Sequence, residues 1–122
     1  MLINNLPMHP VVYAQKISIT FDAAILDAEL RLRIERFLMD LTRRLKNDGC
    51  ELIGHIKGLF AADSAGYLMF SITSPDEPPR FKGEINSKIT GAQMSVNVIV
   101  YGVGLKIVET AFEKASRSLC LT

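Results

Sequence analysis

The sequence has no tryptophan, only two cysteines and almost no surplus of charge of either sign. Cys50 and Cys120 are too few and too far apart for the disulfide framework of a small secreted domain. The low cysteine count therefore favours an intracellular setting. Lysine and arginine number 14 against 13 aspartate and glutamate residues. This balance excludes a non-specific nucleic-acid binder, which needs a clear basic surplus.

Long hydrophobic runs are also missing from the chain. No stretch approaches the roughly 18 uninterrupted apolar residues of a membrane span. The first ten residues lack the basic region and apolar run of a signal peptide. We therefore expect a cytoplasmic protein with no membrane partner.

What the chain does have is apolar side chains, which make up 48% of its 122 residues. That share is too high for a disordered chain. The length matches one domain, since domains most often have about 100–150 residues. We find no repeat and no linker, so residues 1–122 are predicted to form one domain, with an irregular N-terminal arm at 1–10.

Hydrophobic periodicity divides the chain into strands and two helices. Alternation of apolar and polar residues predicts strands at 11–21, 50–62, 66–74, 81–85 (a short edge strand) and 93–103. Apolar residues at steps of three and four predict helices at 27–48 and 105–119. Asp22 or Asp27 is expected to cap the first helix, and Gly49 to end it in a left-handed conformation.

This order of elements predicts an α+β fold. We expect a two-layer sandwich close to the ferredoxin-like arrangement, with a mainly antiparallel four- to five-stranded sheet and both helices on one face. The first helix is a crossover, so the strands on either side of it should run parallel. Residues 74–80, with three prolines, should form a loop, and 86–92 a turn. Gly54 and Gly58 in one strand predict a twist, a bulge or a close approach by a helix.

The sheet face without helices is where we expect function to lie. Strand parity places on it the candidate ligand or interface residues His55, Lys57, Tyr67, Ser71, Asn97, Ile99 and Tyr101. The same parity adds Lys16, Ile53, Leu59 and Met69, but no aspartate or glutamate. A face that mixes apolar and polar side chains in this way is typical of an interface with a second copy or another protein.

Chemistry on this face is the alternative interpretation. His55 and Lys57, with Asn97 and Tyr101 nearby, form a group that can bind an anion or move a proton. The face offers no nucleophile or acid partner, and the sequence contains no phosphate-binding loop, GxGxxG or GxSxG motif, so no catalytic residue and no cofactor are predicted.

Metal binding has little support in the sequence. Cys50, Cys120, His9 and His55 form no metal-ligand motif, so no metal site is predicted within one chain, although a site shared across an oligomer stays open. The first helix also carries a basic cluster, which is expected to be a solvated face or to attract an acidic partner: Arg31, Arg33, Arg36, Arg43, Arg44 and Lys46.

Two segments, ELIGHIKG at 51–58 and MSVNVIVYGV at 94–103, each with its neighbouring helix, resemble the small C-terminal α+β domain of CobW-type proteins. Those proteins are P-loop GTPases associated with metal delivery and cobalamin biosynthesis. The resemblance covers roughly residues 11–119, but the GTPase half, its phosphate loop, its magnesium ligand and its CxCC-like motif are absent. It therefore implies a stand-alone accessory module and carries over no catalytic residue.

Three functions follow from these observations. The leading one is a non-enzymatic interaction module that associates through the helix-free face, as a homo-oligomer or with a CobW-type GTPase. The second is a protein or enzyme that binds an anionic or cobalamin-related small molecule through His55, Lys57, Asn97 and Tyr101. The third is an oligomer whose subunits are bridged by a bound metal ion.

Overall fold

The computed structural model describes residues 9–120 and, as backbone alone, Leu2–Ile3 and Leu6–Pro7. Its strands are β1 (Leu2–Ile3), β2 (Leu6–Pro7), β3 (Pro10–Ile25), β4 (Leu52–Ala61), β5 (Gly66–Ile72), β6 (Arg80–Ile85) and β7 (Ile89–Tyr101). Its helices are α1 (Asp27–Asn47) and α2 (Leu105–Ser116), with short 3₁₀ turns at Asp63–Ala65 and Arg117–Leu119. β1 pairs with β2 inside the expected N-terminal arm, and the other residues before 9 lie outside the described part.

Strands β3 to β7 form one sheet in the order β3-β7-β4-β5-β6. Every neighbouring pair is antiparallel. β3 and β4 run parallel, as the α1 crossover predicts, but β7 lies between them. The predicted fold class, an α+β sandwich of an antiparallel sheet and two helices, is confirmed.

Both helices pack on the same face of this sheet. The Phe112 ring of α2 meets Phe37 of α1 edge-on at 5.6 Å and lies 5.3 Å from the Tyr13 ring of β3. At the opposite edge of the sheet, on the same face, the guanidinium of Arg31 in α1 lies over the Phe81 ring of β6. α1 therefore spans the sheet from β3 to β6. Neither helix within the described residues combines the length and apolarity needed to cross a bilayer.

The start of α1 is held by the edge strand β6 and not by a cap. Leu26 occupies the N-cap position and makes no side-chain cap, so the capping role predicted for Asp22 or Asp27 is wrong. The Asp27 carboxylate instead accepts a hydrogen bond from the Ile85 N–H of β6 at 2.8 Å. A carboxylate in the first turn also interacts favourably with the helix dipole.

The end of α1 follows the prediction. Gly49 has a φ of +101°, a left-handed conformation that glycine adopts without steric cost. The Cys50 N–H then reaches back to the Leu45 carbonyl at 2.9 Å, which satisfies a carbonyl of the last turn.

The two glycines of β4 have separate roles. Ile53 pairs with Val100 and His55 with Ile99, so Gly54 is an extra residue that forms a bulge. The bulge turns Ile53 into the core, where it is 5% exposed, so its predicted place on the helix-free face is wrong. Gly58 leaves room for the Phe70 ring, which a Cβ atom there would overlap. The close approach is thus made by an aromatic side chain and not by a helix.

The predicted turn at 86–92 is too long, because β7 already begins at Ile89. Gly91 pairs with Thr20, and Ile89 pairs with Ile25 after a shift in register. A Cβ atom at Gly91 would lie only 2.9 Å from the Ile19 carbonyl oxygen. Glycine at this position therefore allows β7 to approach β3 closely, and is not the end of a turn.

Arg33 of α1 is buried, with 2% of its surface exposed. Its Nη1 donates to the Leu119 carbonyl at 2.9 Å, and its Nε lies 3.3 Å from a Glu29 carboxylate oxygen. Its guanidinium also lies over the Phe21 ring of β3, at 5.3 Å from the ring centroid. This one side chain therefore connects α1, the sheet and the 3₁₀ turn after α2.

The Arg33→Met substitution tests this connection. It keeps most of the apolar side-chain volume but leaves the Leu119 carbonyl without its donor, so we expect a loss of about 1–3 kcal/mol in the free energy of unfolding. Urea denaturation followed by circular dichroism measures the loss. The exposed Arg36→Met variant is the matched control and should stay within about 0.5 kcal/mol of wild type. Equal stabilities of the two variants would contradict this role.

Candidate binding face

The face of the sheet opposite the helices, called the open face below, is organised in four rows by the cross-strand register. The first row contains Val12, Ile99 and His55. The second row contains Ala14, Asn97, Lys57, Ser71 and Arg80. The third row contains Lys16, Ser95, Leu59, Met69 and Lys82. The fourth row contains Ser18, Gln93, Ala61, Tyr67 and Glu84.

Strand alternation explains why these side chains lie together. In β7, for example, Met94, Val96, Val98 and Val100 are buried, and the residues between them point the other way. Because paired residues on antiparallel strands share a face, each outward residue of β7 adds its neighbours on β3 and β4 to the same row.

Five of the predicted site residues lie close together. His55 is paired with Ile99 in the first row, and Lys57 is paired with both Asn97 and Ser71 in the second. Neighbouring strands are about 4.8 Å apart and successive rows about 6.8 Å apart. The structure therefore brings these side chains within the size of one small contact patch.

Of the two predicted tyrosines, Tyr67 is not part of that patch, whereas the ring of Tyr101 lies at its border. Tyr67 lies in the fourth row, about 14 Å along the strands from the row of Lys57. Tyr101 pairs with Pro10 and Leu52, beyond the first row at the opposite end of the face. Its ring Cε1 and the Ile99 Cγ2 both lie 3.3 Å from the position that a Cβ atom of Gly54 would occupy, so the ring is close to Ile99. The predicted group of His55, Lys57, Asn97 and Tyr101 therefore lies toward one end of the open face.

Sequence reasoning missed two cations of the open face, Arg80 and Lys82. Both belong to β6, which lies beside β5 in the sheet. The alternation of apolar and polar residues along one strand does not show which strand lies next to it. The same strand brings Glu84 onto the face opposite Tyr67. The expectation that no carboxylate lies on this face is therefore wrong.

Charge is unevenly distributed over the open face. The two central rows, the second and third, carry four exposed cations and no acidic residue: Lys16, Lys57, Arg80 and Lys82. None of these four forms a salt bridge within the described residues. Glu84 lies in the fourth row, and Asp22 follows the last β3 residue of regular pairing, Thr20. Both carboxylates thus lie toward one end of the face.

The basic cluster of α1 behaves differently, because four of its six cations form salt bridges with carboxylates of the same helix. Arg31 and Arg33 pair with carboxylates one turn earlier, and Asp40 accepts hydrogen bonds from Arg43 and, at 2.8 Å, from Arg44. Partial burial alone would raise the pKa of Asp40, but the hydrogen bonds from the two arginines outweigh it and hold the pKa below its usual value. Arg36 and Lys46 are the two members of the cluster without a salt bridge among the described residues.

The central rows also expose apolar surface. Met69 is 43% exposed and Leu59 is half-buried beside it. A shallow cavity of about 230 Å³ lies here, lined among others by Lys57, Met69, Ser71, Arg80 and Lys82. It is smaller than the roughly 300–1,000 Å³ of usual small-molecule pockets. The arrangement suits contact with a surface more than enclosure of a ligand.

A larger cavity, about 510 Å³, runs along α1. It is lined by Arg36, Met39, Asp40, Thr42, Arg43, Lys46 and Pro75. Asp40 lies within it and forms a salt bridge with Arg43, one of the three cations that line the cavity. We take the central rows as the candidate site despite the smaller cavity there, because none of their four cations forms a salt bridge in the described residues and no carboxylate lies among them.

The cysteines and histidines do not assemble into a metal site in the part of the chain that the structure describes, where no three such ligands or carboxylates cluster. The Cys50 thiol donates to the carbonyls of Leu52 and Tyr101, each at 3.4 Å. Burial raises the pKa of the Cys50 thiol, and the nearby Glu51 carboxylate raises it further. Cys120 is exposed.

The two cysteine thiols should differ in reactivity, because Cys50 is partly buried and Cys120 is exposed. Since the thiolate is the reactive form, the raised pKa and the burial of Cys50 should make its alkylation by iodoacetamide at pH 8 at least about tenfold slower than that of Cys120. Mass spectrometry of peptides from timed samples measures both rates. In guanidinium chloride the two rates should converge, and equal rates in the folded protein would show that the Cys50 thiol is not protected.

A comparison with known protein families found no match, and neither did comparisons with curated proteins and with solved structures. The resemblance to the C-terminal domain of CobW-type proteins therefore stays a prediction from the segments 51–58 and 94–103.

Proposed function

We propose that this chain is a non-enzymatic binding module that docks an acidic, partly apolar segment of a partner protein on its open face. The observation that carries the proposal is the charge of the two central rows. Lys16, Lys57, Arg80 and Lys82 have no carboxylate among them in these rows and no salt bridge in the described residues. The α1 arginines, by contrast, largely have partners.

Charge complementarity gives such a face its preference for acidic segments. Like charges spread over about 19 Å, the width of the sheet from β3 to β6, create a field that speeds encounter with acidic partners and disfavours basic ones. Exposed ion pairs contribute only about 0.2–1 kcal/mol each. The apolar side chains between them, Leu59 and Met69, must supply the rest of the affinity by being buried in the complex.

The same charge argues against face-to-face pairing of two copies, one form of the expected homo-oligomer. Stacked open faces would bring the cationic central rows of both copies together, and like charges in a contact cost free energy. A CobW-type GTPase as partner remains an expectation from the resemblance. An acidic segment on such a GTPase would satisfy this proposal.

The choice of a protein over single-stranded nucleic acid depends on the aromatic residues. Sheet faces that bind single strands stack bases on aromatic side chains. The central rows of the open face have none, since Tyr67 lies in the fourth row and Tyr101 beyond the first. Their apolar side chains are aliphatic and suit a polypeptide.

A small anionic ligand is the second candidate, favoured by one observation. Ser71 lies between Lys57 and Arg80 in the second row, so two cations and a hydroxyl face one point. The cavity there is shallow and below the usual pocket size. Isothermal titration with inorganic phosphate separates the two candidates, because the proposal predicts no saturable binding below about 1 mM.

Peptide selection tests the proposal without a known partner. Random 12-residue peptides displayed on phage should yield, on the immobilised wild-type protein, sequences that are enriched in Asp, Glu and large apolar residues. For a labelled selected peptide, fluorescence anisotropy should show that Lys57→Glu/Arg80→Glu weakens binding at least about tenfold, because two favourable charge pairs become repulsive.

The matched control is Arg36→Glu/Lys114→Glu, which makes the same change in net charge at exposed positions on the helices. It should change affinity by no more than about threefold. Equal losses in the two variants, or selected peptides without an acidic bias, would overturn the proposal. Tighter binding of a dT15 oligonucleotide than of any selected peptide would do the same.

A further inference from the structure

The two edge strands of the sheet, β3 and β6, differ in whether side chains hydrogen-bond to their outward backbone groups. At the β6 edge, Asp27 accepts from the Ile85 N–H, and Arg31 donates to the Gly83 carbonyl at 3.0 Å, so α1 occupies outward backbone groups. At the opposite edge, β3 is 16 residues long and pairs only with β7 among the described strands. No side chain of the described residues hydrogen-bonds to the β3 backbone.

A long uncovered edge is a template for another strand, because its outward N–H and C=O groups can extend the sheet. The partner that β3 fits is suggested by its own sequence, which is self-complementary about Ile19. Reading outward from that residue, Ser18 mirrors Thr20, apolar Ile17 mirrors apolar Phe21, and Lys16 mirrors Asp22.

We propose that β3 pairs antiparallel with β3 of a second copy, about a two-fold axis that passes by Ile19. This register places Lys16 opposite Asp22 of the second copy, twice by symmetry, because a two-fold interface uses the same patch on both subunits. The result is one continuous sheet of ten strands, five from each copy.

Charge selects this register over its neighbours. Moving the axis to Ser18 would place Lys16 opposite Thr20 and leave Asp22 facing Ala14. Moving it to Lys16 would place the two lysines opposite each other, which is destabilising. The axis at Ile19 also keeps Ile17 opposite Phe21 on the helix side and pairs the small hydroxyl side chains on the open face.

The proposed pairing uses β3 residues on both sides of the point where its register with β7 changes. Its register with β7 is regular from Pro10 to Thr20 and shifts only between Thr20 and Ile25. Asp22, Ala23 and Ala24 in the shifted part are exposed and available to a second strand. Because the two-fold axis is perpendicular to the sheet, both open faces lie on the same side. The pairing uses Lys16 of the central rows and leaves Lys57, Arg80 and Lys82 free to meet a partner.

Sedimentation velocity from 5 to 200 μM tests the proposal with the intact chain. Wild type should form a concentration-dependent dimer of 13.5 kDa subunits. Lys16→Asp and Asp22→Lys should each raise the dimer dissociation constant at least about tenfold, since each converts two attractive pairs into repulsive ones. The swap Lys16→Asp/Asp22→Lys should return it to within about threefold of wild type.

The control is Lys57→Asp, which makes the same change at an exposed position of the open face away from the β3 edge. It should leave the dimer intact. A monomer at 200 μM, single variants that dimerise like wild type, or a Lys57→Asp variant that dissociates as Lys16→Asp does would each overturn the edge pairing. Far-UV circular dichroism confirms that every variant is folded, and the swap variant shows that a single variant's loss is due to charge.

Discussion

The packing of both helices on one face of the sheet is the constraint from which the rest of the structure follows. Phe112 contacts Phe37 of α1 and Tyr13 of β3, so the two helices and the sheet share one core. Once that face is buried, strand alternation sends every second side chain to the other side. The composition of the open face is therefore a direct consequence of how the core is packed.

The cations of α1 and the cations of the open face have different surroundings. The arginines of α1 are used within the chain: Arg33 connects the helix to the C-terminal turn, and Arg31 holds the β6 edge. The cations of the open face have no such partners among the described residues. A net charge of only +1 thus conceals a local excess of positive charge on one surface. For this reason, the near-neutral composition excludes less about binding partners than it first suggests.

Periodicity predicted the strands, the helices and the two-layer fold, because alternation and the 3.6-residue period are local properties. It also placed Lys57, Asn97 and Ile99 correctly on the open face. It failed where the outcome depends on pairing. The bulge at Gly54 reverses the parity of Ile53, and strand order alone brings Arg80 and Lys82 beside Ser71 and Met69. The burial of Arg33 was equally hidden, since its carbonyl partner is 86 residues away in sequence.

We propose that the open face is the surface that meets an acidic partner. The most direct test of this proposal is ¹⁵N–¹H NMR mapping of backbone amides during titration of the wild-type chain with a selected acidic peptide. We expect the largest chemical-shift changes on the second and third rows, around Lys57, Ser71 and Arg80, and little change in α1 and α2. Changes centred on the α1 cavity around Arg36 and Met39, with the open face unaffected, would contradict the proposal.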